Sequence, residues 1–296
     1  MDVWIGDPLR NAKLGDALRP LVEQWRGAPD RLDAFAKRCA MNDLAFERRG
    51  DHGWWRTAAW DGAPPSARVL LVGHHDGDAG PPGMASIWTA LVSSSRDRHP
   101  IGAVVVGDEL AANEASRPWL EAIGRGAGAA LVLSPGLASE TIITERKGLI
   151  RAKSALEAVA ARARALADAS RAITAHVTED AIDLRFAWPT DETALVDALA
   201  GDDDALTIVR RSPMTKAPGA GALAVRYGRC AGVDGPRPDE APLQEDSSSA
   251  NVIAAIGVPT LDGLGPLAGA SDSLEVASLG RRTRALVRFL VRRVTW

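Results

Sequence analysis

Three short runs of almost unbroken apolar residues stand out in the first half of the chain: Arg68-Val69-Leu70-Leu71-Val72, Ile101-Gly102-Ala103-Val104-Val105-Val106 and Ala129-Ala130-Leu131-Val132-Leu133. A strand covered on one face alternates apolar and polar residues, whereas an unbroken run belongs to a strand covered on both. Between these runs, Ile87 to Ser94 and Ala115 to Ile123 carry helix-compatible patterns. The alternation predicts an α/β fold, a mostly parallel sheet covered by helices. Upstream, Leu14, Leu18, Leu21, Val22 and Trp25 recur at helical spacing, with Pro20 expected to kink or restart the segment; Leu32, Phe35 and Cys39 mark a second amphipathic helix. The run Trp54-Trp55-Arg56-Thr57-Ala58-Ala59-Trp60 reads as an early strand whose tryptophans pack under these helices, against the alternative of an exposed partner surface.

The pattern changes after residue 147. A strand over Gly148 to Ala152 leads into a helix over Ser154 to Asp168, with Leu156, Val159, Ala163 and Leu166 on one stripe. Strands over Ile173 to Val177 and Ile182 to Phe186, a helix over Glu192 to Leu199 and a strand near Leu206 to Arg210 follow. This βαββαβ order is ferredoxin-like and predicts a small inserted α+β lid domain over residues 148–212, with residues 1–147 and 213–296 forming the principal domain. The chain returns through a Pro-, Gly-, Asp- and Ser-rich loop, Gly232 to Ser249. A last helix, about Leu279 to Val294, turns Leu286, Leu290 and Val294 inward and leaves Arg284, Arg288 and Arg292 as an expected solvated face.

Composition narrows the function classes. With 296 residues, 46% hydrophobic and 25% charged, the chain can bury one large core and a smaller second one. A net charge of −3, with basic residues scattered among acids, leaves no footprint for nucleic acid. No apolar stretch approaches the roughly 20 residues of a membrane span, and the opening residues Met1-Asp2-Val3-Trp4 lack a basic and apolar leader; the expectation is a cytoplasmic protein without a membrane partner. Two cysteines, Cys39 and Cys230, argue against a disulfide scaffold or a cysteine zinc site. Gly124-Arg125-Gly126-Ala127-Gly128 follows a helix and precedes a strand, the wrong order for a phosphate-cradling loop.

The candidate chemistry lies at the ends of the apolar runs: Gly73-His74-His75-Asp76 after the first, Gly107-Asp108-Glu109-Leu110 after the second and Ser134-Pro135-Gly136 after the third. With Arg146-Lys147-Gly148 and Gly257-Val258-Pro259-Thr260-Leu261-Asp262-Gly263-Leu264-Gly265-Pro266, these stretches appear in an order that resembles the M20 family of zinc peptidases and amidohydrolases, especially its glutamate carboxypeptidase and acetylornithine deacetylase branch. The resemblance covers most of the chain. It implies that His74 is the histidine of a His-x-Asp metal motif, Asp76 the carboxylate that supports it and Glu109 the general base. It equally implies losses. The bridging aspartate falls on Gly83, the second glutamate of the pair on Leu110, the carboxylate before Pro-Gly on Ser134, and the closing histidine has no counterpart in Leu267-Ala268-Gly269-Ala270-Ser271-Asp272.

Zinc needs about four donors at roughly 2.0–2.3 Å, so one imidazole does not retain it, and no metal or other cofactor is expected unless His75, Asp78 or Asp272 moves in. The family's lid also carries an oxyanion-binding histidine after its first strand. Here that loop is missing, and His176 is expected to be a half-buried structural histidine. Of the family's substrate-positioning run, only Asn251 carries over, on a cleft-edge loop over Asp246 to Asn251.

Two function classes follow. In one, the cleft serves a metal-independent enzyme: His74 and Asp76 with Glu109 perform acid/base chemistry, while Arg146, Lys147 and Asn251 anchor a carboxylate-bearing small molecule or short peptide derived from amino acids. In the other, the chain is a catalytically inactive pseudo-peptidase that binds or scaffolds, and the lid offers a surface for a homodimer. A rewired zinc-dependent amidohydrolase or carboxypeptidase is a third, weaker alternative.

Overall fold

The computed structural model describes residues 8–292 apart from residues 43, 97–98, 112, 155–156, 180, 188–189, 202–205, 216, 233–236, 241–247 and 268–275. Helix α1 (Pro8–Arg26) runs through Pro20 as one element, not two; burial of Leu18, Val22 and Trp25 on its inner face offsets the backbone bond that proline removes. Helix α2 (Arg31–Ala40) starts where the Asp30 carboxylate accepts the Asp33 backbone N–H at 2.8 Å, and it buries Leu32, Phe35 and Cys39 as its periodicity predicts.

A hairpin of β1 (Ala45–Arg49) and β2 (His52–Arg56) follows, with every residue of β1 exposed. The strand expected through Trp60 stops at Arg56: the Thr57 hydroxyl donates to the His99 carbonyl at 2.5 Å, and Trp60 lies in the short helix α3 (Ala58–Gly62). Period two sends the neighbouring tryptophans to opposite faces of the sheet. Trp55 packs edge-on against Phe35 at 4.7 Å beneath the first helices, and Trp54 packs against Trp60 at 5.1 Å on the other side. All three tryptophans are buried, so the partner-surface alternative falls.

The predicted βαβ succession forms from β3 (Val69–His74), α4 (Gly80–Arg96), β4 (Ile101–Val106), α5 (Arg117–Gly124) and β5 (Ala129–Val132), followed by the short β6 (Thr141–Ile142). The inserted unit is β7 (Gly148–Lys153), α6 (Glu157–Ala169), β8 (Ile173–Val177), β9 (Ile182–Phe186), α7 (Glu192–Ala200) and β10 (Thr207–Ser212). Its sheet has the order β10-β7-β9-β8 with every pair antiparallel, and its own core includes Ile150, Val159, Ala163, Leu184 and Phe186. Leu156 lies outside the described residues. His176 is exposed, not half-buried, because β8 turns Ile173, Ala175 and Val177 inward and Thr174 and His176 outward.

The chain returns through α8 (Ala220–Ala231), β11 (Arg237–Glu240), α9 (Ser249–Ala255), β12 (Thr260–Leu261) and α10 (Val276–Arg292). Two stretches read as loop are ordered here. Strand β11 pairs in parallel with β6, and Asn251 sits in the first turn of α9, nucleated by a capping box in which Ser248 and Asn251 satisfy each other's backbone N–H groups. Along α10, Leu286 and Leu290 are buried as expected, but so is Arg284, which corrects the reading of a solvated arginine face; α1, α4 and α8 flank this helix. Val294 lies outside the described residues.

The principal sheet has the order β1-β2-β4-β3-β5-β12, with β3, β4, β5 and β12 parallel and the first hairpin antiparallel at one edge. Successive residues of its central strands feed two cores: Val69, Leu71, Ala103, Val105 and Leu131 on one side, and Leu70, Val72, Val104, Val106 and Val132 on the other. The fold is thus α/β, a mostly parallel sheet covered by helices and carrying a small antiparallel lid. Among the described residues, no helix is long and apolar enough to cross a membrane.

Candidate functional site

Parallel pairing fixes where the polar residues after each apolar run arrive. His74 pairs with Val106 at the carboxyl ends of β3 and β4, β5 delivers Ser134 to the same edge, and β12 delivers Asp262. Crevices outside the carboxyl ends of such strands are where open α/β sheets place their ligands.

His74, Asp76 and Glu109 meet there. The His74 ring lies with Nδ1 2.8 Å from Asp76 Oδ1 and 3.0 Å from the Asp76 carbonyl, while Nε2 faces Glu109 Oε1 at 3.5 Å. Asp76 Oδ2 also accepts the Leu110 backbone N–H at 2.7 Å. Glu109 is buried, and its Oε2 accepts both the backbone N–H and the hydroxyl of Ser249, at 3.1 and 2.5 Å, while Ser134 donates to Oε1 at 3.4 Å. Three donors besides the imidazole converge on an acceptor-only group, the environment that an ionised carboxylate needs.

Electrostatics bind the cluster together. Burial presses the His74 imidazole toward its neutral form, but the carboxylates of Glu109 and Asp76 outweigh it and raise the ring to about 9. Burial raises the Asp76 carboxyl, and the His74 and Leu110 donors more than reverse this, holding it below the usual carboxylate value. The arrangement is a buried imidazolium between two carboxylates.

The proposed substrate anchors lie elsewhere in the same network. Arg146 is buried, with Nε 2.6 Å from Oδ2 of the equally buried Asp262. Lys147 donates to the Thr174 hydroxyl at 2.8 Å on the lid. Asn251 is fully buried, and its amide donates to the carbonyls of Lys147 and Pro213, at 3.1 and 2.6 Å. Sequence reasoning missed Ser249 and Ser134 as partners of Glu109, and Asp262 as the partner of Arg146. The pattern Ser248-x-x-Asn251 ahead of an apolar run was the available signal for the turn that carries Ser249.

The positions that the resemblance assigns to zinc do not fit a metal. Leu110 is 63% exposed and aliphatic, and Ser134 is turned toward Glu109. A Cβ at Gly83 would come within 2.7 Å of the Leu133 carbonyl oxygen, so this backbone leaves no room for a bridging aspartate. His75 does not compensate: its Nε2 is held by Asp51, at 2.9 Å from the carbonyl and 3.2 Å from the carboxylate. Asp78 pairs with Arg31 at 3.6 Å, and Asp272 lies outside the described residues. Among the described residues, no group of three or more His, Cys, Asp or Glu side chains is arranged to hold an ion.

No family model matches this sequence, and no curated protein is similar to it. Solved structures are. The aminopeptidase PepT of Bacillus cereus is 14% identical, with 95% of this chain and 99% of that chain covered at a TM-score of 0.63. Human carnosine dipeptidase 1 is 9% identical over 98% of this chain and 99% of its own, with a TM-score of 0.64. YxeP of Bacillus subtilis, a dinuclear metal-binding peptidase of the M20 family, is 10% identical over 96% and 99%, with a TM-score of 0.63. From end to end, this chain is built on the fold of the M20 peptidases and amidohydrolases.

Proposed function

We propose that this protein is a non-hydrolysing member of the M20 fold, a pseudo-peptidase that acts by binding. The observation that carries this reading is the His74–Glu109 contact: Nε2, the ring atom that a metal ion would take, faces a carboxylate at 3.5 Å inside a buried cluster. With its ring raised to about 9 by the two carboxylates, His74 is a weak acid at neutral pH, and a metal ion would have to displace its proton. The Glu109 carboxylate is likewise already engaged by Ser249 and Ser134. The groups proposed as anchors are spent on the fold, Arg146 on Asp262 and Asn251 on backbone carbonyls.

The second reading, a metal-independent acid/base enzyme, is favoured by one observation: Asp76, His74 and Glu109 are assembled in line, with Nε2 lacking a hydrogen-bond partner of normal length. The two readings separate in one set of assays. Purified protein is analysed for metal content after incubation with zinc, cobalt and manganese, then incubated with dipeptides and N-acyl amino acids, and screened for thermal stabilisation by carboxylate-bearing amino-acid derivatives. Binding without bound metal and without turnover is the expected result. Turnover abolished by Glu109→Gln would favour the enzyme, and one or two tightly held ions per chain would restore a hydrolase.

A further inference from the structure

We propose that the first turn of α9 is a transmission element that locks the lid domain onto the principal domain for as long as Glu109 is bonded to Ser249. This turn joins the two domains whether or not the cluster is catalytic.

Three residues of this turn reach three places. Ser249 gives both its backbone N–H and its hydroxyl to Glu109 Oε2, at 3.1 and 2.5 Å. Ser248 donates its hydroxyl to Asp262 Oδ2 at 2.5 Å, the same oxygen that accepts Arg146 Nε at 2.6 Å. Asn251 donates to the carbonyls of Lys147 and Pro213 at 3.1 and 2.6 Å, and its Oδ1 accepts the Ser248 N–H at 2.9 Å. Lys147 immediately precedes β7 and Pro213 immediately follows β10. One side-chain amide therefore holds both the strand that enters the lid and the strand that leaves it. Just outside this clamp, Arg146 and Thr215 exchange backbone hydrogen bonds of 3.4 and 2.9 Å, closing the hinge into a two-residue ladder.

The lid is also tied on its other side. Arg117 Nη2 donates to the Arg211 carbonyl at 2.6 Å, and the Arg210 guanidinium bonds the Leu110 carbonyl, one residue from Glu109. The second of these ties ends beside the charge cluster, at the residue after Glu109. A helical turn is stiff, so displacing Ser249 displaces Asn251 about half a turn further on. Opening the lid with the cluster intact would break two bonds of a fully buried amide and leave its donors without partners.

Amide hydrogen exchange of the full-length protein tests the link. The reporters are the hinge amides of Arg146 and Thr215, and the references are the amides of Leu71 and Val105 in the central strands. Ser249→Ala is expected to accelerate the hinge amides on the order of fivefold or more and leave the references unchanged, and Asn251→Ala to reproduce that pattern. Unchanged hinge exchange in Ser249→Ala overturns the proposal, and so does equal acceleration of hinge and references, the mark of global loosening. Should Ser249→Ala fail to fold, Ser249→Cys, similar in size but a weaker donor, is read in the same way. Hinge exchange at the wild-type rate in that variant would also overturn the link.

Discussion

Glu109 stands 3.5 Å from the Nε2 atom of His74, so the acid and the base of the site have each other as partners. Two buried charges in this geometry depend on one another, because removing either leaves the other uncompensated. Glu109→Ala and His74→Ala are each expected to cost about 3–5 kcal/mol, and the double variant less than their sum by at least about 1 kcal/mol. Urea unfolding of the four proteins measures this, and strict additivity would refute the coupling.

Stability should depend on pH with a defined sign. The His74 ring is raised from an ordinary 6.5 to about 9 in the folded protein, so its contribution is complete below 6.5 and disappears as pH climbs through 9. Asp76 is lowered, so its contribution is complete above the ordinary value of 3.8 and is lost as acid is added. Between pH 6.5 and 9.5 the wild type should lose on the order of 3 kcal/mol. Thermal melts of His74→Asn across that window should be flatter; equal slopes would show that some other group titrates.

At Gly83 the crowding comes from backbone. A Cβ there meets the Leu133 carbonyl oxygen at 2.7 Å, and neither strand end nor helix start yields without a shift. Gly83→Ala should therefore destabilise by about 1–3 kcal/mol, and Gly83→Asp by more. Adding Leu110→Glu and Ser134→Asp to Gly83→Asp should then fail to produce a tight zinc site, as titration calorimetry with zinc would show. Submicromolar binding would prove that the backbone adapts.

Trp55 separates packing from recognition. It is enclosed between Phe35 and Phe46, at 4.7 and 4.8 Å. Trp55→Ala is expected to lower stability by about 3–5 kcal/mol, read by chemical denaturation. A variant of unchanged stability that loses a binding partner would reinstate a recognition role.

Much of this architecture could be read without coordinates. Unbroken apolar runs place both faces of β3, β4 and β5 in core, so their existence and type, and a mostly parallel sheet, follow from pattern alone. The trio His74, Asp76 and Glu109 was legible only through the family resemblance; that parallel strands end together explains why the fold brings them to one edge. Pairing choices were harder. Nothing in the local residues around Asn251 says that its amide will reach Lys147 and Pro213, separated from it by 104 and 38 positions. Arg146 next to Lys147 looks like an anion anchor until the fold brings Asp262 against it. Arg284 reads as solvated until three other helices close around α10. Periodicity reports which side of an element is apolar, whereas long-range partners decide what a polar group does.

The outer edge of the principal sheet has a different consequence, one for behaviour in a crowded solution. Among the described residues, strand β1 pairs with β2 alone and its residues are exposed, so its outer edge offers a row of N–H and C=O groups of the kind that recruits other strands. Its five residues include Glu47, Arg48 and Arg49, so a second copy approaching in register would bring like charges together while adding a single aromatic, Phe46. A short, charged border of this kind is a common guard against an open sheet growing into a fibre, and here it falls on the one side of the β1–β2 hairpin that the sheet does not cover.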